Sequence, residues 1–300
     1  MLYLVTGGCR SGKSGIAEEK VCTLAPSGKR IYFAAMQPRD DEDLERIRKH
    51  RERRKDSGFI TIEGGLEALV PERFEGFKEH VVLLESLTSL LDREMFEEGE
   101  SDCAVKIFDA IKLVEACVKA IVIVSDRLFS DALNFDEGTL HYREELGKLE
   151  RLIAEGCEEV TEAVNGKEIK HKNDSFDMSE GKYFVTGGAA QGKTEYIKNV
   201  FGLDDADIFN LRNNTDIRNL QECSAVIHVE EYVRQCLNEG REPEDFFSDI
   251  RIVAGDDIFC GIVPLEKKDR IFRDTCGDFY RKLVNGRKLI RVTCGIGERI

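Results

Sequence analysis

The 300-residue sequence has few prolines, no long hydrophobic run and fewer basic than acidic residues. Five prolines and 41% hydrophobic residues exclude collagen-like and disordered chains, and they leave enough apolar side chains for one large or two modest cores. No segment reaches the roughly 18 uncharged apolar residues that a membrane span needs. The first residues, MLYLVTGG, include neither a basic leader nor a cleavage site. We therefore expect a cytoplasmic protein with no membrane partner.

Acidic residues outnumber lysine and arginine by 58 to 44, which gives a net charge of −14 at pH 7. Binding to a phosphate backbone requires a basic face, so this balance argues against a nucleic-acid partner. The ten cysteines include no C-x-x-C pair, and only five histidines are available to complete a metal cluster. We expect reduced thiols rather than disulfides or a structural zinc site.

One part of the sequence occurs twice. YLVTGGCRSGKS at residues 3–14 returns as YFVTGGAAQGKT at residues 183–194, and YREELGKLERLIA at residues 142–154 aligns with FRDTCGDFYRKLV at residues 272–284. Each copy also ends on G-x-x-Ile, at residues 166–169 and 297–300. We interpret the chain as a tandem duplication with a shortened second copy. The predicted domains are residues 1–170 and 181–300, joined by a polar linker at residues 171–180.

Short apolar runs alternate with amphipathic segments along both copies. In the first copy LYLVTG, RIYFAAM, HVVLLES and KAIVIVSD predict strands, and helical patterns separate them. This alternation predicts an α/β fold with two doubly wound, mostly parallel sheets, one in each domain. The segment DDEDLERIRKHRERRKD at residues 40–56 predicts a charged helix, because its carboxylates come first and its cations last.

Two glycine-rich loops match G-x-x-x-x-G-K-[ST], each between a predicted strand and a predicted helix. The glycines let backbone N–H groups face phosphates, the lysine reaches the β and γ phosphates, and the hydroxyl can ligate Mg²⁺. The pattern therefore predicts a bound nucleoside triphosphate, and together with the alternating strands and helices it predicts two domains like the P-loop NTPases of the RecA type. The first loop comprises Gly7, Gly8, Cys9, Arg10, Ser11, Gly12, Lys13 and Ser14. The second carries Gly187, Gly192, Lys193 and Thr194 at its defining positions, and the alternative that this loop is now only structural stays open.

An acidic residue follows a buried apolar run in each copy. Glu85 ends HVVLLE, and Glu230 or Glu231 ends AVIHVEE. A carboxylate at the end of such a strand commonly binds Mg²⁺ or its water, so we predict that Ser14 and Glu85 ligate Mg²⁺. The alternative for Glu85 is an ordinary strand-end acid that faces solvent.

His50 lies within a run of basic residues on the predicted charged helix. A positive field would lower the pKa of the imidazole and attract a polyphosphate, and these are conditions for a nucleophile directed at phosphorus. A histidine in a basic helix is more often a solvated surface residue. The residue pattern alone leaves both interpretations open.

Four segments in this order and spacing resemble a known family: GGCRSGKS, YFAAMQPRDDEDLERIRKHRERR, FITIE and VVLLESLTSLL. They are similar to the bifunctional adenosylcobinamide kinase/adenosylcobinamide-phosphate guanylyltransferases of cobalamin biosynthesis, and the resemblance covers most of residues 1–170. That family phosphorylates a corrinoid, adenosylcobinamide, with ATP or GTP, and then transfers GMP from GTP through a guanylylated histidine. By resemblance His50 is that histidine, Lys13 stabilises the leaving pyrophosphate, and the protein is a homo-oligomer.

The resemblance also implies nucleotide contacts beyond the first loop. They fall on Ala34, Ala35, Met36, Arg51, Arg53, Arg54, Glu63 and Glu85. The family's later segment, N-E-V-G-x-G-I-V-P, is replaced in the first copy by SDRLFSDALNF at residues 125–135 and survives in the second as GDDIFCGIVP at residues 255–264. The second copy lacks the histidine helix, so we expect the first copy to carry out guanylyl transfer. A nucleotide-binding scaffold and another small-molecule kinase remain the alternatives.

Overall fold

The chain divides into two compact units. The computed structural model describes residues 1–36, 48, 52, 57–97, 102–130, 135–171, 180–214, 220, 223–259 and 264–300. Unit 1 comprises Met1–Arg127 and Lys148–His171, and unit 2 comprises Leu128–Gly147 and Lys172–Ile300. Residues 128–147, which the sequence assigns to the first domain, therefore belong to unit 2, because they pack there as described below. The predicted boundaries at residues 170 and 181 otherwise stay a prediction.

Unit 1 is built around a seven-stranded sheet in the order β3-β2-β4-β5-β1-β6-β7. Neighbouring strands are parallel except for the hairpin of β6 and β7. The strands are β1 (Leu2–Gly7), β2 (Arg30–Ala34), β3 (Phe59–Glu63), β4 (Val81–Glu85), β5 (Ala120–Asp126), β6 (Cys157–Val164) and β7 (Lys167–His171). The helices described from this part of the sequence are α1 (Lys13–Leu24), α2 (Leu87–Asp92), α3 (Cys103–Glu115) and α4 (Glu137–Glu155).

Unit 2 contains a six-stranded sheet in the order β13-β12-β8-β11-β10-β9. Only the hairpin of β12 and β13 is antiparallel. The strands are β8 (Tyr183–Thr186), β9 (Ile208–Asn210), β10 (Ala225–Ile227), β11 (Ile252–Ala254), β12 (Lys288–Thr293) and β13 (Ile296–Arg299), and the helices are α5 (Lys193–Phe201), α6 (Val229–Asn238) and α7 (Lys267–Val284). From the opposite edge this order matches β2-β4-β5-β1-β6-β7 of unit 1, so six strands follow the same path in both units.

The central strands of unit 1 are apolar over almost their whole length. Residues 81–84 of β4 and 120–124 of β5 have no exposed side-chain surface. Parallel strands buried on both faces show such continuous apolar runs rather than an alternating pattern. Polar side chains enter these strands only at their carboxyl ends, so the chemistry of the unit is confined to that edge of the sheet.

The two hairpins correct the alignment of the repeats by two residues. Gly166 turns β6 into β7 with a φ of 78°, and Gly295 turns β12 into β13 with a φ of 81°. Gly166 N donates to Ser11 O at 2.7 Å, and Gly295 N donates to Gln191 O at 2.9 Å. Gly166 therefore corresponds to Gly295, and the alignment of the two G-x-x-Ile ends is wrong.

Candidate functional site

The first loop connects β1 to α1. Gly12 has a left-handed φ of 97° and lies directly before α1, which begins at Lys13. Arg10 also has a positive φ of 58°. Gly8, Cys9, Arg10 and Gly12 are all exposed. A ligand can therefore reach the backbone N–H groups of this loop and the positive end of the α1 dipole.

Lys13 lies buried beside the first loop, with 8% of its surface exposed. Its Nζ lies 2.5 Å from Asp126 Oδ1 and donates a hydrogen bond to Gly8 O at 3.3 Å. Asp126 ends β5, the neighbour of β1, and its Oδ2 accepts from Thr88 Oγ1 at 2.9 Å. The aspartate therefore holds the ammonium group in place against the loop.

Ser14 and Glu85 lie together, as the sequence predicts. Ser14 Oγ donates to Glu85 Oε1, and Tyr32 OH donates to Glu85 Oε2 at 3.0 Å. Glu85 is 8% exposed, so it is buried and does not face solvent. A hydroxyl and a carboxylate are hard oxygen donors of the type that Mg²⁺ prefers. The donor chemistry of this pair fits the predicted ion.

The other predicted contacts of unit 1 lie at the same edge of the sheet. Ala34 is in register with Glu63 of β3 and with Glu85 of β4. Ala35 is buried and donates through its N–H to Glu85 O at 3.1 Å, whereas Met36 is half-buried and Glu63 is exposed. Ligands of doubly wound sheets bind at the carboxyl ends of the strands.

His50, Arg51, Arg53 and Arg54 lie outside the described residues, so their roles stay predictions. Arg48 and Glu52 are described, and both are helical. Arg48 Nη1 lies 2.7 Å from Glu52 Oε1, an ion pair between residues one helical turn apart. These two positions agree with the charged helix that the sequence predicts.

The second loop, residues 187–194, repeats two left-handed positions of the first loop. Ala190 has a φ of 57° at the position of Arg10, and Gly192 has a φ of 87° at the position of Gly12. Lys193 Nζ lies 2.6 Å from Asp256 Oδ1, which repeats the pairing of the first lysine. Among the residues that the structure describes, however, no carboxylate is hydrogen-bonded to the Thr194 hydroxyl.

The predicted acid of the second copy does not end a strand. β10 ends at Ile227, and Glu230 and Glu231 lie in the first turn of α6. Glu230 Oε2 accepts from Asp256 N at 3.0 Å and from Tyr280 OH at 3.1 Å. Burial, and then the charge of Glu230, raises the pKa of Tyr280 well above its usual range, so the phenol remains a donor. Glu230 therefore organises the interior of unit 2 instead of facing Thr194.

Asp256 lies at the centre of a buried charged cluster. Arg212 Nη2 is 3.1 Å from Asp256 Oδ2, in addition to Lys193 on the other oxygen. Burial by itself would raise the pKa of Asp256, but the charges of Lys193, Arg212 and His228 hold that pKa below its usual value. The ligand atoms of His228, Glu230 and Asp256 lie within 4.8 Å of one another. Because two cations already contact Asp256, this cluster is an ion-pair network and not a metal site.

Asp126 and Asp256, which pair with the two loop lysines, were not predicted as site residues from the sequence. The strand-end rule that selects Glu85 applies equally to KAIVIVSD, whose last residue is Asp126, and to Asp256 shortly after β11. Tyr32 carried no signal, because its contact with Glu85 depends on the pairing of β2 with β4.

In unit 1, β1 leads through G-x-x-x-x-G-K-S into α1, and the acids Glu85 and Asp126 end β4 and β5. This motif in a mostly parallel sheet defines a P-loop nucleotide-binding protein. The family model "cobinamide kinase / cobinamide phosphate guanyltransferase" matches residues 3–171. The chain belongs to this family. The matched range includes the first loop, His50, Glu85 and Asp126.

Curated relatives give the same result. The chain is 28% identical over 187 residues to the bifunctional adenosylcobalamin biosynthesis protein CobU of Escherichia coli (strain K12), covering 57% of this chain and 100% of that protein. It is 31% identical over 173 residues to the bifunctional adenosylcobalamin biosynthesis protein CobP of Pseudomonas aeruginosa, covering 55% and 94%. Among solved structures, a KaiC-like protein of Pyrococcus horikoshii is similar with a TM-score of 0.33 and 13% identity, covering 57% of this chain and 76% of that one. Within the described residues, no helix has the length and apolar character to cross a membrane.

Proposed function

We propose that this protein acts in cobalamin biosynthesis, phosphorylating adenosylcobinamide and transferring GMP from GTP to adenosylcobinamide-phosphate. The observation that carries the proposal is the family match over residues 3–171. Within that range the first loop is exposed, Lys13 lies against it and Ser14 pairs with Glu85. The relatives are named as bifunctional adenosylcobalamin biosynthesis proteins, which favours this function over a scaffold or an unrelated kinase.

The first loop would bind the triphosphate of GTP or ATP. Its backbone N–H groups would surround the phosphates, and Lys13 would contact the β and γ oxygens. Ala34, Ala35, Met36 and Glu63 lie at the same edge and are proposed to contact the remainder of the nucleotide. By family resemblance, Arg51, Arg53 and Arg54 would neutralise charge on the phosphates.

Ser14 and Glu85 are the proposed Mg²⁺ ligands. The support is the burial of Glu85 and the all-oxygen donor set of the pair. When bound, Mg²⁺ supplies positive charge to the phosphate oxygens. Tyr32 orients the second oxygen of Glu85, because its hydroxyl donates to Oε2.

His50 is the proposed nucleophile for guanylyl transfer. Its neutral imidazole nitrogen would attack the α phosphorus of GTP in line, forming a P–N bond as the bond to the bridging oxygen breaks and pyrophosphate leaves. A phosphate oxygen of adenosylcobinamide-phosphate would then displace the imidazole, which restores His50 and gives adenosylcobinamide-GDP. Arg46, Ile47, His50 and Arg54 match the family pattern R-I-x-x-H-x-x-x-R, and this match supports the assignment.

We also propose a cytoplasmic homo-oligomer. The homo-oligomer is proposed from the resemblance to the family. The nine described cysteines are unbridged, which agrees with a reducing compartment. Light scattering on the purified protein measures its molar mass in solution and tests the oligomer.

The decisive assay combines the purified protein with adenosylcobinamide, GTP and Mg²⁺. Mass spectrometry should detect adenosylcobinamide-phosphate first and adenosylcobinamide-GDP later. Accumulation of the phosphate alone would restrict the protein to the kinase step. Nucleotide binding without conversion of the corrinoid would overturn the proposal in favour of the scaffold.

A further inference from the structure

We propose that the second loop is an internal docking surface for Phe129 and Gly147, two described residues of the segment Leu128–Gly147, and binds no nucleotide. The two loops share two left-handed positions and a lysine paired with an aspartate, so these features do not distinguish them. They differ in what covers them. The segment Leu128–Gly147, described at residues 128–130 and 135–147, belongs to the same unit as the second loop.

Phe129 contacts the second loop directly. Its carbonyl oxygen accepts a hydrogen bond from the N–H of Ala189 at 2.8 Å. Its side chain is 1% exposed, and a Cβ placed on Gly188 would lie 2.6 Å from Phe129 Cβ. Backbone N–H groups of this loop type are the groups that contact phosphates, and here one of them is already paired. The carbonyl oxygen of Phe129 therefore occupies the place of a phosphate oxygen at this N–H group.

A second close approach lies at the far end of the covering segment. A Cβ on Gly147 would lie 2.4 Å from Ala190 O and 2.8 Å from Ala190 Cβ. Side-chain atoms do not fit at that distance, so only glycine allows this contact. Gly147 and Gly188 thus permit close packing of two backbones, one from the segment and one from the loop.

The two loops differ in solvent exposure, as expected if the second loop is covered and the first is not. Gly8 and Gly12 are exposed, and a Cβ on Gly8 would meet nothing within 4 Å. The corresponding Gly188 and Gly192 are buried. The first loop is open to a ligand, whereas the second is covered by its own chain.

Two backbone carbonyls and one carboxylate surround the ammonium group of the second loop's lysine. Lys193 Nζ donates to Gly187 O at 3.2 Å and to Gly188 O at 2.7 Å, and it lies 2.6 Å from Asp256. The side chains of Lys193 and Asp256 are 7% and 6% exposed. A triphosphate would have to compete for Lys193 with two carbonyls and with Asp256, whereas only one carbonyl, Gly8 O, accepts from Lys13. Thr194 also lacks, among the described residues, the carboxylate partner that Ser14 has in Glu85.

The first test is the stoichiometry of nucleotide binding, measured by calorimetry with β,γ-imido-GTP and Mg²⁺ on the full chain. We expect one nucleotide per chain, loss of that binding in Lys13→Ala, and its retention in Lys193→Ala. Two nucleotides per chain, or the loss of one site in Lys193→Ala, would overturn the inference. Absence of binding in the wild-type chain would agree with the inference and contradict the proposed function instead.

The second test compares Gly188→Ala with Gly8→Ala, the same change at corresponding positions of the two loops. Gly188→Ala should lower Tm by about 3–8 °C, because the new Cβ overpacks against Phe129, while binding at the first loop is kept. Gly8→Ala should change Tm by about 1 °C or less, since its Cβ enters open space. Equal Tm values for the two variants would remove the docking role of the second loop.

Discussion

Lys13 and Lys193 are each held by an aspartate that follows the neighbouring strand. The lysine–aspartate pair orients the ammonium group in a mostly buried position, where an unpaired charge would be costly. At the first loop one backbone carbonyl, Gly8 O, accepts from Lys13, whereas two carbonyls accept from Lys193 at the second loop. The proposed difference in nucleotide binding therefore depends on the surroundings of the two lysines and not on the residue type.

A prediction for His50 follows from the proposed covalent step. GTP labelled at the α phosphate should leave acid-labile label on the wild-type protein, and His50→Asn should reduce this label to background, because the phosphoramidate needs the imidazole. His141→Asn is the matched control, since His141 is exposed on α4, and it should keep full labelling. Equal labelling of His50→Asn and wild type would remove His50 from the mechanism.

A prediction for Glu85 concerns the dependence of the reaction on Mg²⁺. Glu85→Gln keeps the size of the side chain but removes the charge that would hold the ion. We expect at least a tenfold lower rate at fixed Mg²⁺, about 1.4 kcal/mol in the barrier, and a higher Mg²⁺ concentration for half-maximal activity.

The control for Glu85 is Glu63→Gln, because Glu63 lies in register on the same edge but is exposed and outside the pair with Ser14. Glu63→Gln should leave the Mg²⁺ concentration for half-maximal activity unchanged. A similar shift in both variants would argue against Glu85 as a specific ligand.

Strands were predicted more accurately than the junctions between strands and helices. The runs LYLVTG, RIYFAAM, HVVLLES and KAIVIVSD contain β1, β2, β4 and β5, because strands buried on both faces need continuous apolar residues. In AVIHVEE the strand stops at Ile227, because His228 adopts a left-handed φ of 64° and α6 begins directly after it. A single backbone reversal of this type moves Glu230 from a strand end to a helix, and residue composition does not reveal it.

Asp256, shortly after β11, leads to a prediction about the stability of the fold at low pH. Because charged neighbours lower the folded-state pKa of Asp256, this carboxylate contributes stability above its unfolded pKa, about 3.9, and the contribution is lost as pH falls through the lower folded pKa. Asp256→Asn should lower the free energy of unfolding by about 3–5 kcal/mol at pH 7, since Lys193 and Arg212 lose their partner. Urea titrations followed by circular dichroism measure the difference.

That difference between wild type and Asp256→Asn should narrow below about pH 4. Asp249→Asn is the control, because its side chain is fully exposed, and it should change stability by no more than about 0.5 kcal/mol. A gap between wild type and Asp256→Asn that stays constant down to pH 2 would contradict the assigned role of the charge.

At the scale of the whole molecule, the sequence reveals a repeat, but it does not reveal that residues 128–147 belong to unit 2. The repeat could be predicted because glycine-rich loops keep a recognisable sequence, and the shared order of six strands supports the proposed duplication. The assignment of Leu128–Gly147 to unit 2 could not be predicted, because it depends on contacts between residues far apart in the sequence, such as the contact of Phe129 with Gly188. Contacts between distant parts of a sequence leave no local pattern.

The packing of Phe129 predicts that Phe129→Ala has different effects in the full chain and in a fragment without the second loop. In the full chain, Phe129→Ala should lower the free energy of unfolding by about 3–5 kcal/mol, because a large buried side chain is lost. In a fragment of residues 1–171, which lacks the second loop, the same change should reduce binding of a hydrophobic dye, because Phe129 is then exposed. Dye fluorescence and thermal unfolding of the four proteins test this, and equal dye binding by both fragments would contradict it.

The covering of the second loop also bears on how such a chain can evolve. Once Phe129 relies on Gly188 for burial, deletion of the second half exposes an aromatic side chain of the first half, even if the second half catalyses nothing. If the second loop binds no nucleotide, as proposed, the second half is still needed for the burial of Phe129. In a chain that arose by duplication, packing alone would then make one half depend on the other.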